Sequence, residues 1–171
     1  MDFEQLALAR YSLRKFSDQP VEEEKLRLIL RAAQAAPTAH NMQPQHILVV
    51  KSAGAKERLH RCTPFNFGAP LILVVAYDAQ RAWKRTEYDN KNHGEIDAAI
   101  TAAHMMLQAA DLGLGTTYVG VFNPEALLTE FPELKGLTPV ALLPLGYPAE
   151  GAHPSRLHGD RRPFEELYTE V

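Results

Sequence analysis

Cysteine occurs once in the 171 residues, at Cys62, which excludes an intramolecular disulfide and any cage of cysteine ligands around a metal. No apolar run approaches the ~20 residues that a membrane-spanning helix needs. Charge of one sign is not in excess: 18 Lys and Arg against 21 Asp and Glu leave a net charge of −3. That balance argues against nucleic acid or an anionic membrane surface as a partner. An anionic ligand must therefore be held by a few local cations. Internal repeats and low-complexity segments are missing too. The opening Met1-Asp2-Phe3-Glu4 lacks the charged and apolar regions of a secretory signal. A reducing cytoplasm is the expected address.

What remains is an ordinary globular composition of a length that fits one domain, residues 1–171. A chain of this size buries roughly 70% of its unfolded surface, enough for a core without staples. Residues 2–10 have a short helical pattern, and Arg10 to Phe16 reads as extended chain. Leu26, Ile29, Leu30 and Ala33 recur at helical spacing, predicting a helix from about Glu22 to Ala36, stopped by Pro37. Glu22, Glu23 and Glu24 suit the positive end of its dipole. Strands are expected at His46–Lys51, Leu71–Tyr77, Thr116–Phe122 and Val140–Leu145, and short helices at Ala53–His60 and Pro124–Phe131. Residues 78–93, with Trp83, read as loop, as does Gly146 to Gly159; Pro163 to Val171 is ambiguous. Alternation of helix and strand, taken alone, points to a parallel, doubly wound sheet.

The best-defined helix runs from about Gly94 to Leu112 and stops at Gly113. Asp97, Thr101, His104, Gln108 and Asp111 follow at helical steps, and nearly everything else on it is Ala, Ile, Met or Leu. Two readings stand: a core helix with one wetted edge, or a subunit interface whose small residues permit close approach. Ala103 is expected on the buried side.

Two clusters carry the chemistry. In extended chain, alternate side chains share a face, so Arg10, Ser12 and Arg14, with Tyr11 between the first two, form a row of two guanidiniums and a hydroxyl. Such a row can hold an anion and neighbouring carbonyls. The second is Pro37-Thr38-Ala39-His40-Asn41-Met42-Gln43-Pro44, a loop between a helix and a strand. Asn41 and Gln43 each offer a donor and an acceptor, as recognition of a heterocycle edge demands. Each cluster alone is equally compatible with a solvated strand edge or a prolyl turn with amide caps.

Together, and in this order, they resemble the opening of the nitroreductase family of FMN-dependent oxidoreductases. The resemblance continues through the Ala/Met-rich helix into Gly113-Leu114-Gly115-Thr116-Thr117-Tyr118-Val119-Gly120. It ends with Leu145-Gly146-Tyr147-Pro148 and Arg161-Arg162-Pro163. It implies an α+β three-layer sandwich whose central sheet is mixed and largely antiparallel, against the doubly wound expectation. It also implies a homodimer with FMN at the interface, and NADH or NADPH as the electron donor. On this chain, Arg10 and Arg161 would hold the FMN phosphate, with Ser12 in support, and Arg14 would face N1 and the C2 carbonyl of the flavin ring. Residues of the Pro37–Gln43 loop (Pro37, Thr38, Ala39, Asn41 and Gln43) would reach the flavin of the other subunit. Val119 and Gly120 would run along the ring, and Asn66 is a candidate for its pyrimidine edge. Relatives often carry a second cation two residues before the position of Arg161; here that residue is Gly159, so either Arg162 substitutes or the phosphate is held more weakly. With no long insertions in the chain, the acceptor pocket is expected to be open or to be built by residues 62–93, including Phe65, Phe67 and Trp83.

Other patterns carry less. Gly113-x-Gly115 followed by Gly120 lies after a helix and before a strand, the reverse of a dinucleotide-binding loop. The seven His residues show no metal spacing. His104 reads as a core or interface residue, and Cys62 as an inert thiol. The expected activity is ping-pong transfer of hydride from NAD(P)H through FMN to a nitroaromatic, a quinone or a similar small acceptor. The alternatives are a specialised relative (dehalogenation, flavin breakdown, dehydrogenation) or a flavin-binding storage or regulatory module without turnover.

Overall fold

A computed structural model describes residues 2–171. Its centre is β2 (Leu71–Tyr77), whose first six residues are all buried. A strand covered on both faces needs no polar alternation, which explains its unbroken apolar run. β2 pairs antiparallel with β1 (Gln45–Val50) on one side and β6 (Thr138–Gly146) on the other, and β6 pairs antiparallel with the short β5 (Gly115–Thr116). The order is β1-β2-β6-β5, and beyond β5 the chain at Ser12 adds a parallel bridge to Thr116. The sheet is thus mixed and largely antiparallel. The parallel, doubly wound reading fails because alternation records where elements occur and not which way strands run.

Side chains alternate between two cores. Leu71, Leu73 and Val75 meet α2 (Glu23–Ala35) and α4 (Gly94–Asp111) on one face. Ile72, Val74 and Ala76 meet α3 (Ala53–His60) and α5 (Pro124–Glu130) on the other. The result is a three-layer α+β sandwich. The N-terminal α1 (Phe3–Ala9) has no buried residue of its own and rests against α4. Among the described residues no helix is long and apolar enough to cross a membrane.

Local chemistry explains most boundaries. Asp2, Ser52 and Asn123 cap α1, α3 and α5 through their side chains, and Gly113, at φ +75°, ends α4 in the left-handed conformation. Two segments differ from expectation. The 78–93 stretch contains a small hairpin, β3 (Lys84–Arg85) against β4 (Lys91–Asn92), closed by the Arg85–Asp89 ion pair and by Asn90 at φ +55°. The expected strand Thr116–Phe122 shrinks to Thr116 plus one bridge, in which Val119 exchanges both backbone hydrogen bonds with Leu142 at 2.9 Å. Its β-branched residues satisfy strand propensity, but residues 117 and 118 have no partner strand. The 146–159 and 163–171 segments carry short 3-10 turns at Arg156–Gly159 and Phe164–Glu166, and every residue from 159 to the end is exposed.

Candidate active site

The extended segment after α1 runs along the edge of the sheet. Leu13 points inward and is buried, its backbone N–H donating to Thr116 O at 2.9 Å. Ser12 and Arg14, either side of it, face outward, as strand alternation requires. The fit depends on Gly115, where a Cβ would overlap the Leu13 side chain. The Arg10-Ser12-Arg14 row is therefore present, held at a fixed height by a glycine opposite it.

Two clefts open along that row. Arg10 and Tyr11 line a cavity of about 180 Å³ together with Met106 and Ala110 of α4 and the Gly113–Thr116 turn. The Thr116 hydroxyl is buried there with no protein hydrogen-bond partner, an orphan that a ligand oxygen would satisfy. Arg14 lines a second cleft of about 160 Å³ with Phe65, Phe67, Tyr118, Val119 and Gly120. A Cβ at Gly120 would meet nothing within 4 Å, so this backbone fronts open space. Phe67 holds φ +53° beside it, a conformation that persists only where the surroundings impose it. Arg14 makes one long contact, from Nη1 to Ser12 O at 3.4 Å, which leaves its guanidinium available.

The C-terminal segment returns to this end of the molecule. His158 Nε2 lies 3.2 Å from Leu8 O, and its ring sits edge-on to Tyr11 at 6.3 Å. Arg161 follows three residues later, with Nη1 on the neighbouring Asp160 carbonyl, and both Arg161 and Arg162 are exposed. His158 had no visible role in the sequence; its signal was a lone histidine shortly before the basic pair.

The Pro37–Gln43 loop lies elsewhere on the same chain. Gln43 lines a separate cleft of about 470 Å³ with Arg27, Arg31 and Arg81, and none of the clefts described combines the loop with Arg10 or Arg14. Pro37, Asn41 and Gln43 are exposed, and Thr38 and Ala39 are half-buried. His40, Asn41 and Gln43 all have positive φ, at 52°, 54° and 49°. Three such residues outside glycine in one loop mark a conformation held against its local preference. Thr38 Oγ1 accepts from Gln43 N at 3.0 Å, and Asp97 Oδ1 accepts from Ala39 N at 2.9 Å.

Three expectations about neighbouring residues change. Asn66 spends its amide on its own turn, accepting from Gly68 N at 3.1 Å and meeting His60 Nδ1 at 3.3 Å, so it lines a different cleft from Arg14. Trp83 is not a wall of the Arg14 cleft; it is packed between the His40 ring, stacked at 4.9 Å, and the His93 ring, edge-on at 4.7 Å. Ala103 is exposed in the single chain, on an apolar groove of about 620 Å³ that it shares with Phe3, Leu6, Ile100 and Leu107. α4 is buried on the side that faces the sheet, and in the single chain it leaves a largely apolar face uncovered, with His104, Gln108 and Asp111 among its lining. Cys62 is buried against Arg58 O, and burial pushes its thiol pKa up, away from a reactive thiolate.

Comparison with known proteins bears on the same segments. The model of the nitroreductase family matches residues 7–61 and 55–147. A nitroreductase family protein from Clostridium difficile superimposes with a TM-score of 0.91 at 36% identity, covering 99% of this chain and 98% of its own. The FMN reductase [NAD(P)H] of Bacillus subtilis is 29% identical across 92% of this chain and 70% of its own length. The NADH dehydrogenase of Thermus thermophilus is 29% identical across 98% and 95%.

Proposed function

The chain belongs to the nitroreductase family, and from that premise we propose that it is a single-domain, FMN-dependent oxidoreductase working as a homodimer. The observation that carries this reading is the Arg10-Ser12-Arg14 row, set along the sheet edge beside the orphaned Thr116 hydroxyl. The donor set fits FMN: guanidiniums for a phosphate, hydroxyls for a polyol, and an open backbone at Val119–Gly120 for a flat ring. The names of the Bacillus subtilis and Thermus thermophilus relatives support NADH or NADPH as donor.

Bound FMN would supply the two-electron chemistry, taking hydride from a nicotinamide donor and passing it to an oxidised acceptor, in turn at one site. The residues of the chain bind, orient and polarise. Arg10 and Arg161, with Arg162 in place of the cation absent at Gly159, would hold the phosphate as charge-assisted partners. Arg14 would place a fixed positive charge at the pyrimidine end, where reduction accumulates negative charge. No side-chain acid or base is required for hydride transfer itself. Phe65, Phe67 and Tyr118 would shape the acceptor side, favouring a flat, apolar oxidised molecule such as a nitroaromatic or a quinone.

The cleft that holds Arg14 contains none of the Pro37–Gln43 loop, so on this reading one chain offers half a site. The exposed Pro37–Gln43 loop of a second copy is the fitting complement, its Asn41 and Gln43 amides meeting the ring edge. The apolar groove on α4 is the surface through which the copies would meet. Purified protein should be yellow and release FMN, not FAD, on denaturation, as chromatography of the supernatant will show. FAD, or no flavin after reconstitution, contradicts the reading.

A further inference from the structure

Asp97 is a buried carboxylate with no place in the chemistry above. It is 2% exposed in the first turn of α4, among Ala98, Thr101 and Ala102. Its Oδ1 accepts the Ala39 N–H at 2.9 Å and its Oδ2 has no protein partner. Burying a carboxylate is costly unless it is bonded. Favourable placement near the start of a helix dipole does not explain it, because the exposed Glu95 serves that purpose without burial.

The bond reaches across 58 residues of sequence to the turn in which His40, Asn41 and Gln43 are all left-handed. On its outer side the same turn is propped by the Trp83 ring, on which His40 stacks with an interplanar angle of 17°, and by Arg81 Nε donating to Met42 O at 2.9 Å. His93, the residue just before α4 and four before Asp97, closes the far edge of Trp83. The loop is thus clamped between the buried Asp97 carboxyl on α4 and an aromatic platform. We propose that Asp97 is a positioning residue, whose hydrogen bond to the Ala39 amide seats the Pro37–Gln43 loop in the conformation that receives the flavin ring. This rests on the flavoenzyme reading above and goes beyond it by assigning the residue that sets the loop.

The loop addresses the ring and not the phosphate, so its loss should weaken FMN and riboflavin by a common factor. Apoprotein is titrated with both flavins by fluorescence quenching, and exchange of the Ala39 amide is followed by NMR. Asp97→Asn keeps an acceptor oxygen of the same size and should bind more tightly than Asp97→Ala, within about tenfold of wild type, since a neutral hydrogen bond takes the place of the original one. Asp97→Ala should accelerate exchange at Ala39 and weaken both flavins by about ten- to a hundredfold, the range of one charge-assisted bond. Unchanged flavin affinity despite faster exchange overturns the proposal. So does an Asp97→Asn as weak as Asp97→Ala, because the charge and not the anchor would then matter, and so does a loss confined to FMN. If Asp97→Ala does not fold, Trp83→Leu removes the platform from the other side of the loop. It should weaken both flavins by a common factor, and unchanged binding counts against the loop. Wild type that binds neither flavin defeats the underlying reading and this role with it, and does so before any substitution is made.

Discussion

At the scale of single residues, two arginines that composition treats alike are given different work. Arg10 sits at the end of α1 beside the cavity lined by Thr116, and Arg14 in the cleft with Phe65, Phe67 and Tyr118. Arg10→Ala should weaken FMN by about ten- to a hundredfold and leave riboflavin binding unchanged, which fluorescence titration of both flavins will show. Arg14→Ala should instead lower the reduction potential of the bound flavin. A loss of ~1 kcal/mol from the reduced form, fitting a solvent-facing charge, corresponds to roughly 20 mV in a dye-equilibrated titration. Equal potentials would show Arg14 to be only another surface cation. The row itself was legible because strand alternation needs no tertiary information. The role of Asp97 was not, because a polar residue on an apolar helix says nothing about which distant amide it meets. The surroundings of Asn66 and Trp83 were not legible for the same reason: an amide and an indole are placed by the local turn and its neighbours, which sequence spacing does not encode.

At the scale of elements, long periodic segments were readable to within a residue or two: α2, α4 and β2 follow from their apolar spacing and their Pro and Gly ends. Sheet direction was not readable from alternation and came from the family resemblance. The β3–β4 hairpin escaped because two polar residues per strand give no periodic signal. Gly115 belongs to this scale, since it sets how closely the 10–16 segment lies against β5. Gly115→Ala should overlap Leu13, cost on the order of 1–3 kcal/mol as overpacking does, and weaken flavin as the row is displaced; melting and titration check both. Besides the core they share, Arg61 at the end of α3 pairs with Glu130 of α5 at 2.7 Å. Arg61 lowers the Glu130 pKa below its ordinary 4.5. The pair therefore stabilises the fold fully above that ordinary value and loses its effect as pH falls through the depressed one. Glu130→Gln should melt lower than wild type at pH 7, with the gap closing at acid pH. A gap that persists at acid pH would assign the loss to packing.

At the scale of the whole molecule, the row on one sheet edge and the amide-bearing loop on another surface do not share a cleft, and the outer face of α4 is largely apolar and uncovered, with His104, Gln108 and Asp111 on it. A second copy, as proposed above, would account for both facts at once. Ala103→Glu places a charge in that groove, and should shift the protein to monomer in light scattering and lose FMN with it. A monomer that keeps tight FMN would refute the shared site. The central claim, that flavin held by these residues carries electrons between two small molecules, is tested most directly by anaerobic double-mixing stopped-flow on the reconstituted dimer. NADH or NADPH should bleach the flavin band in the first mix, and a quinone or nitroaromatic should restore it in the second, each in a single exponential independent of the other partner. Bleaching that no acceptor except oxygen reverses, or no bleaching with either nicotinamide, would contradict the account and leave a protein that binds flavin without turning it over.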